Sequence, residues 1–369
     1  MAARIGIAGA GLLGRLLAFE LAGAGCEVHV HDPAPDAQAR GAAGWTAAGM
    51  LSPVAELECA NEEVLGLALR SIQAWARIDS ELAPHGSLHL SCEGSLLLAH
   101  RGDGGSAERI VSLLRARAPQ ALQPQLLPAE ALRTLEPAVH GPAMAWLLPG
   151  EGRLHPVAAM QALAVGAAAR GARFHWGASV AQVVPNRLAL ADGTQARFDH
   201  VFDARGVGAR GELPVRGVRG EVVWLHAPGV RMHRPLRLLH PRHRVYLVPR
   251  SGDLIVVGAS EIESEDRSPV SLRTAVELMA AAHSVVPELA EARIVHLEAN
   301  LRPALPDNLP LLAQQPGLTR INGLYRHGWL VAPALVEDAC AEWCGAGRHV
   351  GAGRHVGAGV RLAAREASA

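Results

Sequence analysis

At 369 residues, with 49% hydrophobic side chains, the chain is long enough for two ordinary domains and a sizeable core. Lys plus Arg and Asp plus Glu balance at 35 each, so no global charge imbalance recruits nucleic acid or an anionic membrane surface, and a small molecule is the default partner. Five cysteines, Cys26, Cys59, Cys92, Cys340 and Cys344, lack CxxC spacing, which argues against a disulfide framework or a metal site and for a reducing compartment. No uncharged run reaches the ~20 residues that span a bilayer, and the chain reads as cytoplasmic.

The first element sets the frame. Arg4 to Ala8 is a buried strand that enters Gly9-Ala10-Gly11-Leu12-Leu13-Gly14 and then an apolar helix from Leu12 to Ala24, closed by Gly25. A second strand, Glu27 to His31, ends at Asp32. This is the order of a dinucleotide site: Gly9 for the tight turn, Gly11 for close approach of a pyrophosphate, Gly14 for helix-on-strand packing, and Asp32 where an acid receives ribose hydroxyls. Ala47-Ala48-Gly49-Met50-Leu51 is a small-residue stretch that suits either close approach to a flat ring system or packing on the first βαβ unit. From Glu56 to Leu82 the apolar spacing predicts one long amphipathic helix.

Gly86 to His100 reads as a pair of strands, Ala107 to Ala118 and Leu127 to Leu135 as helices, and Ala143 to Leu148 as a strand. An Ala-rich helix runs from Val157 to Arg170, followed by a strand Arg173 to Trp176. Val180 to Asp199 reads as a hairpin around Ala191-Asp192-Gly193, and His200 to Gly206 as a buried strand that ends in a small-residue turn and joins the first sheet. Repeated alternation from Gly217 to Ser260 predicts a second sheet, and a helix follows from Leu272 to Val285. A last helix begins near Trp329, on which Cys340 and Cys344 share a face. The repeated Gly-Ala-Gly-Arg-His-Val of the tail, residues 346–369, reads as a flexible extension.

Four separated motifs make the chain resemble the FAD-dependent D-amino-acid oxidase superfamily, and within it the glycine oxidases of thiamine biosynthesis. They are Gly9 to Gly14, Ala47 to Leu51, the Arg302-Pro303 to Pro306-Asp307 turn, and Tyr325-Arg326-His327-Gly328 before Ala332-Pro333. The resemblance implies an α/β fold, with a Rossmann-like FAD-binding domain built from residues 1–85, 150–215 and 301–345. It implies a mainly antiparallel substrate domain from residues 86–149 and 216–300. It also implies FAD rather than NAD, with Arg326, His327, Gly328 and Leu330 near the flavin, and a homo-oligomer. Some relatives attach FAD through a cysteine just before the Arg302 region; Asn300 stands there in this chain, so noncovalent FAD is expected.

Oxidising an amino acid at a flavin requires the Cα–H to be aimed at the ring, and a guanidinium that clamps the carboxylate fixes that orientation. Arg302 is the candidate clamp, Tyr246 a candidate donor to the same carboxylate, and Arg326 a group for flavin or substrate; Arg244 and Glu261 lie beside the pocket. The expected reaction is oxidative deamination of glycine, sarcosine or small D-amino acids, with oxygen as acceptor, giving an oxo acid, ammonia and hydrogen peroxide and supplying glycine imine for the thiamine thiazole. The alternatives are a D-amino-acid dehydrogenase with another electron acceptor, and a flavin-binding subunit that depends on a partner.

Overall fold

The computed structural model describes residues 2–239 and 244–346. The tail repeats therefore lie almost wholly outside the described residues, as does the side chain of Cys344.

The strand Arg4–Ala8 lies at the centre of a six-stranded sheet, between Glu27–Asp32 and His200–Asp203. Arg173–Trp176 extends it beyond the former, Leu318–Asn322 and Leu311–Gln315 beyond the latter. All pairings are parallel except that of the last two strands, which form an antiparallel hairpin. Parallel strands are buried on both faces, and the burial follows. On one side Ile5, Ile7, Val28 and Phe202 join Leu16, Leu17 and Phe19 of helix Leu12–Gly23, Leu163 of helix Pro156–Ala169 and Val331 and Leu335 of helix Gly328–Ala346. On the other, Ala8, Val201 and Leu318 meet Val183 and Leu188 of a small three-stranded sheet. That sheet replaces the expected hairpin: Val180–Val184, Arg187–Leu190 and Gln195–Arg197 turn at Asn186, whose φ is +61°, as well as at Gly193.

The second sheet has eight strands. Its order is Arg293–Ala304, Arg216–His226, Leu254–Gly258, Arg244–Arg250, Leu236–Leu239, Ser95–Ala99, Met144–Leu148 and Gln125–Leu126. One parallel pair, Leu236–Leu239 with Ser95–Ala99, interrupts an otherwise antiparallel sheet. Alternation sorts its faces: Val223, Leu225, Leu247 and Val257 point to helix Leu272–Val285, while Val222, Trp224, Val248 and Val256 point toward Ala48. The second face meets the six-stranded unit. Of the two strands expected between residues 86 and 100, only Ser95–Ala99 forms; the segment before it makes a single bridge from Ser91 to Arg153.

The long helix expected from Glu56 is shorter. Ala55–Glu58 is a 3₁₀ turn, and the α-helix runs Glu62–Leu82. Asn61 is the cause: its side chain accepts the Val64 N–H at 3.0 Å, an N-cap that restarts the chain in the middle of the apolar pattern.

Several histidines are buried neutral in this frame. His31, with neither ring nitrogen hydrogen-bonded, stacks on His175 at 4.4 Å, and burial foremost lowers its pKa to about 4. Burial likewise lowers His200 to about 4. A histidine depressed from about 6.5 binds its proton more readily unfolded, so its contribution is complete above that value and is lost as pH falls toward 4. His31→Phe keeps the ring shape and removes the titration. The unfolding temperature of the variant is expected to fall less than that of the unaltered chain between pH 6.5 and pH 4.5, measured by circular dichroism; parallel curves would show that His31 is not part of the acid sensitivity.

Candidate active site

A cavity of about 950 Å³ runs from the glycine turn, between the two sheets, to the second sheet. At its first end Gly9 has φ +96° and donates its N–H to His31 O at 2.8 Å, and a β-carbon there would stand 2.7 Å from Ala204 O. A β-carbon on Gly14 would overlap the Gly9 carbonyl oxygen, so helix and turn touch at backbone level. Gly11 is different. Its φ is −71°, and a β-carbon would meet only Ala42 Cβ, at 3.6 Å, so a larger side chain there would project into the cavity.

Gly11, Leu12 and Leu13 line the cavity where the first-turn N–H groups of the helix lack intrahelical acceptors. Asp32 also lines it, accepting N–H groups of Ala10 at 2.5 Å and Ala34 at 2.8 Å; the acid therefore fastens the turn as well as facing the space. The cradle fits a diphosphate, with backbone donors, a helix N-terminus and a small-residue floor. Gly11→Val is expected to unfold at nearly the temperature of the unaltered apoprotein yet purify without flavin. A variant that keeps stoichiometric flavin, read from its absorbance, would contradict this.

The middle of the cavity is walled by the segment from helix Ala43–Thr46 to strand Met50–Leu51. Ala47, Ala48, Gly49 and Met50 line the space, and Gly49, at φ +65°, leaves no room for a side chain beside Leu154 O and Pro156. Arg250 donates to Ala48 O, fixing this strip to the second sheet. Asn300 donates to Ala42 O and Thr46 Oγ1, both at 3.2 Å. Gly328 and Leu330, at the start of the last long helix, close the wall.

At the far end the second sheet supplies Tyr246 and Arg302. The Arg302 guanidinium lies across Gly220, where a β-carbon would come within 2.5 Å of it, and Nη1 donates to Ser260 O at 3.0 Å and Arg219 O at 3.5 Å. Among the described residues no carboxylate pairs with it, and the residue lines the cavity. Tyr246 lies across Gly258 in the same way, and burial pushes its phenol pKa up. The two glycines thus seat the two large polar side chains flat on the sheet.

Arg326 also reaches the cavity, but in a carboxylate network. Its Nε is 2.9 Å from Glu56 Oε2, Nη2 donates to Glu56 Oε1 at 3.1 Å, and Nη1 lies 3.4 Å from Glu261. Arg237 adds a contact to Glu56 at 3.2 Å. Burial alone would raise the Glu56 carboxyl; Arg326 first, then Arg237 and His327, hold it well below the usual carboxylate range. His327 corrects an expectation. It does not line the cavity; it is buried, and its ring lies against Glu56, with Nδ1 3.2 Å from Oε2. Tyr325 does line it, and burial together with its bond to Glu261 raises its pKa to about 12. Arg244 and Glu261 line the outer part, and Arg244 is held loosely by Glu58 at 3.4 Å.

A family model described as FAD dependent oxidoreductase matches residues 4–341. The chain belongs to the FAD-dependent oxidoreductase family. A Rhizobium etli protein named as a thiamine biosynthesis oxidoreductase is 37% identical over 339 residues, covering 91% of this chain and 94% of its own. Two solved structures share the whole architecture. Glycine oxidase from Geobacillus kaustophilus superposes with a TM-score of 0.81 at 26% identity, over 92% of this chain and 94% of its own. Iminodiacetate oxidase from a Chelativorans species gives 0.82 at 25% identity, over 93% and 95%. Family membership makes the chain an FAD-using oxidoreductase, and the turn at Gly9 to Gly14 with Asp32 is where its residues fit the dinucleotide.

Proposed function

We propose that this family member is an amino-acid oxidase that deaminates glycine, with sarcosine and small D-amino acids as further substrates, and supplies glycine imine for thiamine thiazole formation. The relatives named above support the substrate class and the metabolic role. The observation that carries the reading is Arg302: a guanidinium seated on Gly220, without a carboxylate partner among the described residues, sharing one end of the cavity with Tyr246. Such a group is made to receive a carboxylate in bidentate fashion.

Bound FAD supplies two-electron oxidation. The chain's own residues then have the task of orientation. Arg302 holds the substrate carboxylate, the Tyr246 hydroxyl donates to it, and the Ala47 to Met50 strip keeps the opposite wall free of bulk. Arg326, locked by Glu56 and Glu261, shapes the remaining side of the pocket. The wall beyond is charged rather than apolar, with Glu56, Arg237, Arg244 and Glu261, which disfavours bulky apolar amino acids. With oxygen and water as co-reactants, and hydrolysis of the imine, the balance for glycine or a D-amino acid is amino acid, O₂ and H₂O to oxo acid, ammonia and H₂O₂; for sarcosine, methylamine replaces ammonia. In this reading FAD is held noncovalently, with Asn300 where some relatives carry the attaching cysteine.

Anaerobic stopped-flow mixing of the purified protein with glycine, sarcosine and D-alanine, followed by readmission of oxygen, tests the reading. Bleaching by glycine and fast recovery with peroxide release are expected. Bleaching without recovery in oxygen would instead assign a dehydrogenase with another acceptor, and no bleaching by any of the three a partner-dependent subunit.

A further inference from the structure

Arg15 is an unexpected residue in the diphosphate half of the cavity. It stands in the first turn of helix Leu12–Gly23, where the macrodipole disfavours a cation, and it is only 1% exposed. The guanidinium lies between Trp45 and Trp176, 5.1 and 5.5 Å from their ring centroids. Nε donates to Ala10 O at 2.7 Å, Nη1 to Met160 O at 2.7 Å, and Nη2 to Ala37 O at 2.9 Å. All three acceptors are neutral. Among the described residues no carboxylate forms an ion pair with it; Asp32, whose field reaches it, has its two oxygens engaged by the Ala10 and Ala34 N–H groups. Burial lowers its pKa to about 10.

A desolvated cation at the positive end of a helix adds like to like, and three carbonyls and two aromatic faces offset its lost hydration only in part. An anion in the adjoining space changes the sign. We propose that Arg15 is a positioning residue for the cofactor's pyrophosphate, a fixed buried countercharge that also ties together the glycine turn, the segment around Ala37 and helix Pro156–Ala169 around it. The proposal uses the FAD-dependent nature of the family and is independent of which amino acid is oxidised.

The test compares ADP with adenosine as ligands of the flavin-stripped full chain by calorimetry, because their affinity ratio reports recognition of the diphosphate and cancels general damage to the fold. Arg15→Gln and Arg15→Met are expected to reduce the ADP preference about tenfold or more, the scale of one charge-assisted contact. Arg15→Lys is expected to retain most of it near neutral pH and to lose it between about pH 7 and pH 9, since a buried lysine titrates early, while the unaltered chain, still below the Arg15 pKa of about 10, holds its preference. That titration reads the charge even if the Gln and Met variants fail to fold. Equal weakening of ADP and adenosine in the variants, or a Lys variant whose preference does not change with pH, overturns the proposal. An unaltered chain that does not distinguish ADP from adenosine overturns the dinucleotide site itself.

Discussion

Arg302→Ala is expected to retain FAD and lose glycine. Truncating one side of a buried charge pair costs roughly 2–5 kcal/mol, so kcat/KM for flavin reduction should fall by about 30-fold to a few thousand-fold. Arg302→Lys should recover only part, because an ammonium on a flexible stem does not reproduce the planar fork that lies over Gly220. The measurement is anaerobic flavin reduction across a range of glycine concentrations, with bound FAD quantified for each variant. Normal flavin content with unchanged reduction kinetics in Arg302→Ala would remove the carboxylate clamp from the scheme.

Glu56→Leu is expected to have the largest effect on stability. It leaves Arg326 and Arg237 without the carboxylate they share, and breaking a buried ion pair from one side costs about 3–5 kcal/mol. The sign with pH is fixed by the depressed carboxyl. Its contribution is complete above the unfolded value of 4.5 and is lost as pH falls below it, so the gap in unfolding free energy between Glu56→Leu and the unaltered chain should be widest near neutrality and shrink in acid. Urea titrations at pH 7 and pH 4 test this, and a gap that is equal at both would show that the network contributes packing and not charge.

The contrast between Gly9 to Gly14 and Glu56 shows what the amino-acid order can disclose. The glycine turn is a largely local device: although the clash that Gly9 avoids, with Ala204 O, comes from far along the chain, Gly14 answers a clash with the Gly9 carbonyl within one contiguous strand, turn and helix. It was therefore legible from spacing. The spacing of Leu65, Leu69, Ile72, Trp75 and Leu82 predicts a helix that takes in Glu56, and the signal that breaks it is the Asn61 side-chain oxygen. Asn61 followed by Glu62 and Glu63 is a helix-start signature, and read as such it would have freed Glu56. Arg302 and Tyr246 sit in strands like many others. Their seats, Gly220 and Gly258, lie 82 residues before the one and 12 after the other, so Arg302 stands out through the family motif alone and Tyr246 only as one of two tyrosines, placed mid-strand in the second sheet. Arg15 and His327 show the limit in the other direction, since a cation in an apolar helix and an imidazole in a familiar motif take their meaning from Trp45, Trp176 and Glu56, none of them adjacent in sequence.

The parallel pairing of Leu318–Asn322 with His200–Asp203, beside the first strand of the chain, has a consequence for biosynthesis. The Gly9 to Gly14 turn belongs to a chamber whose further wall, Arg326 to Leu330, is synthesised more than three hundred residues later. In the second sheet, Leu236–Leu239, Arg244–Arg250 and Leu254–Gly258 pair in sequence order and can form while translation continues. The nucleotide chamber cannot. Its nascent apolar interior stays open until Leu318–Asn322 and helix Gly328–Ala346 have been made, an interval in which exposed apolar surface is prone to aggregate.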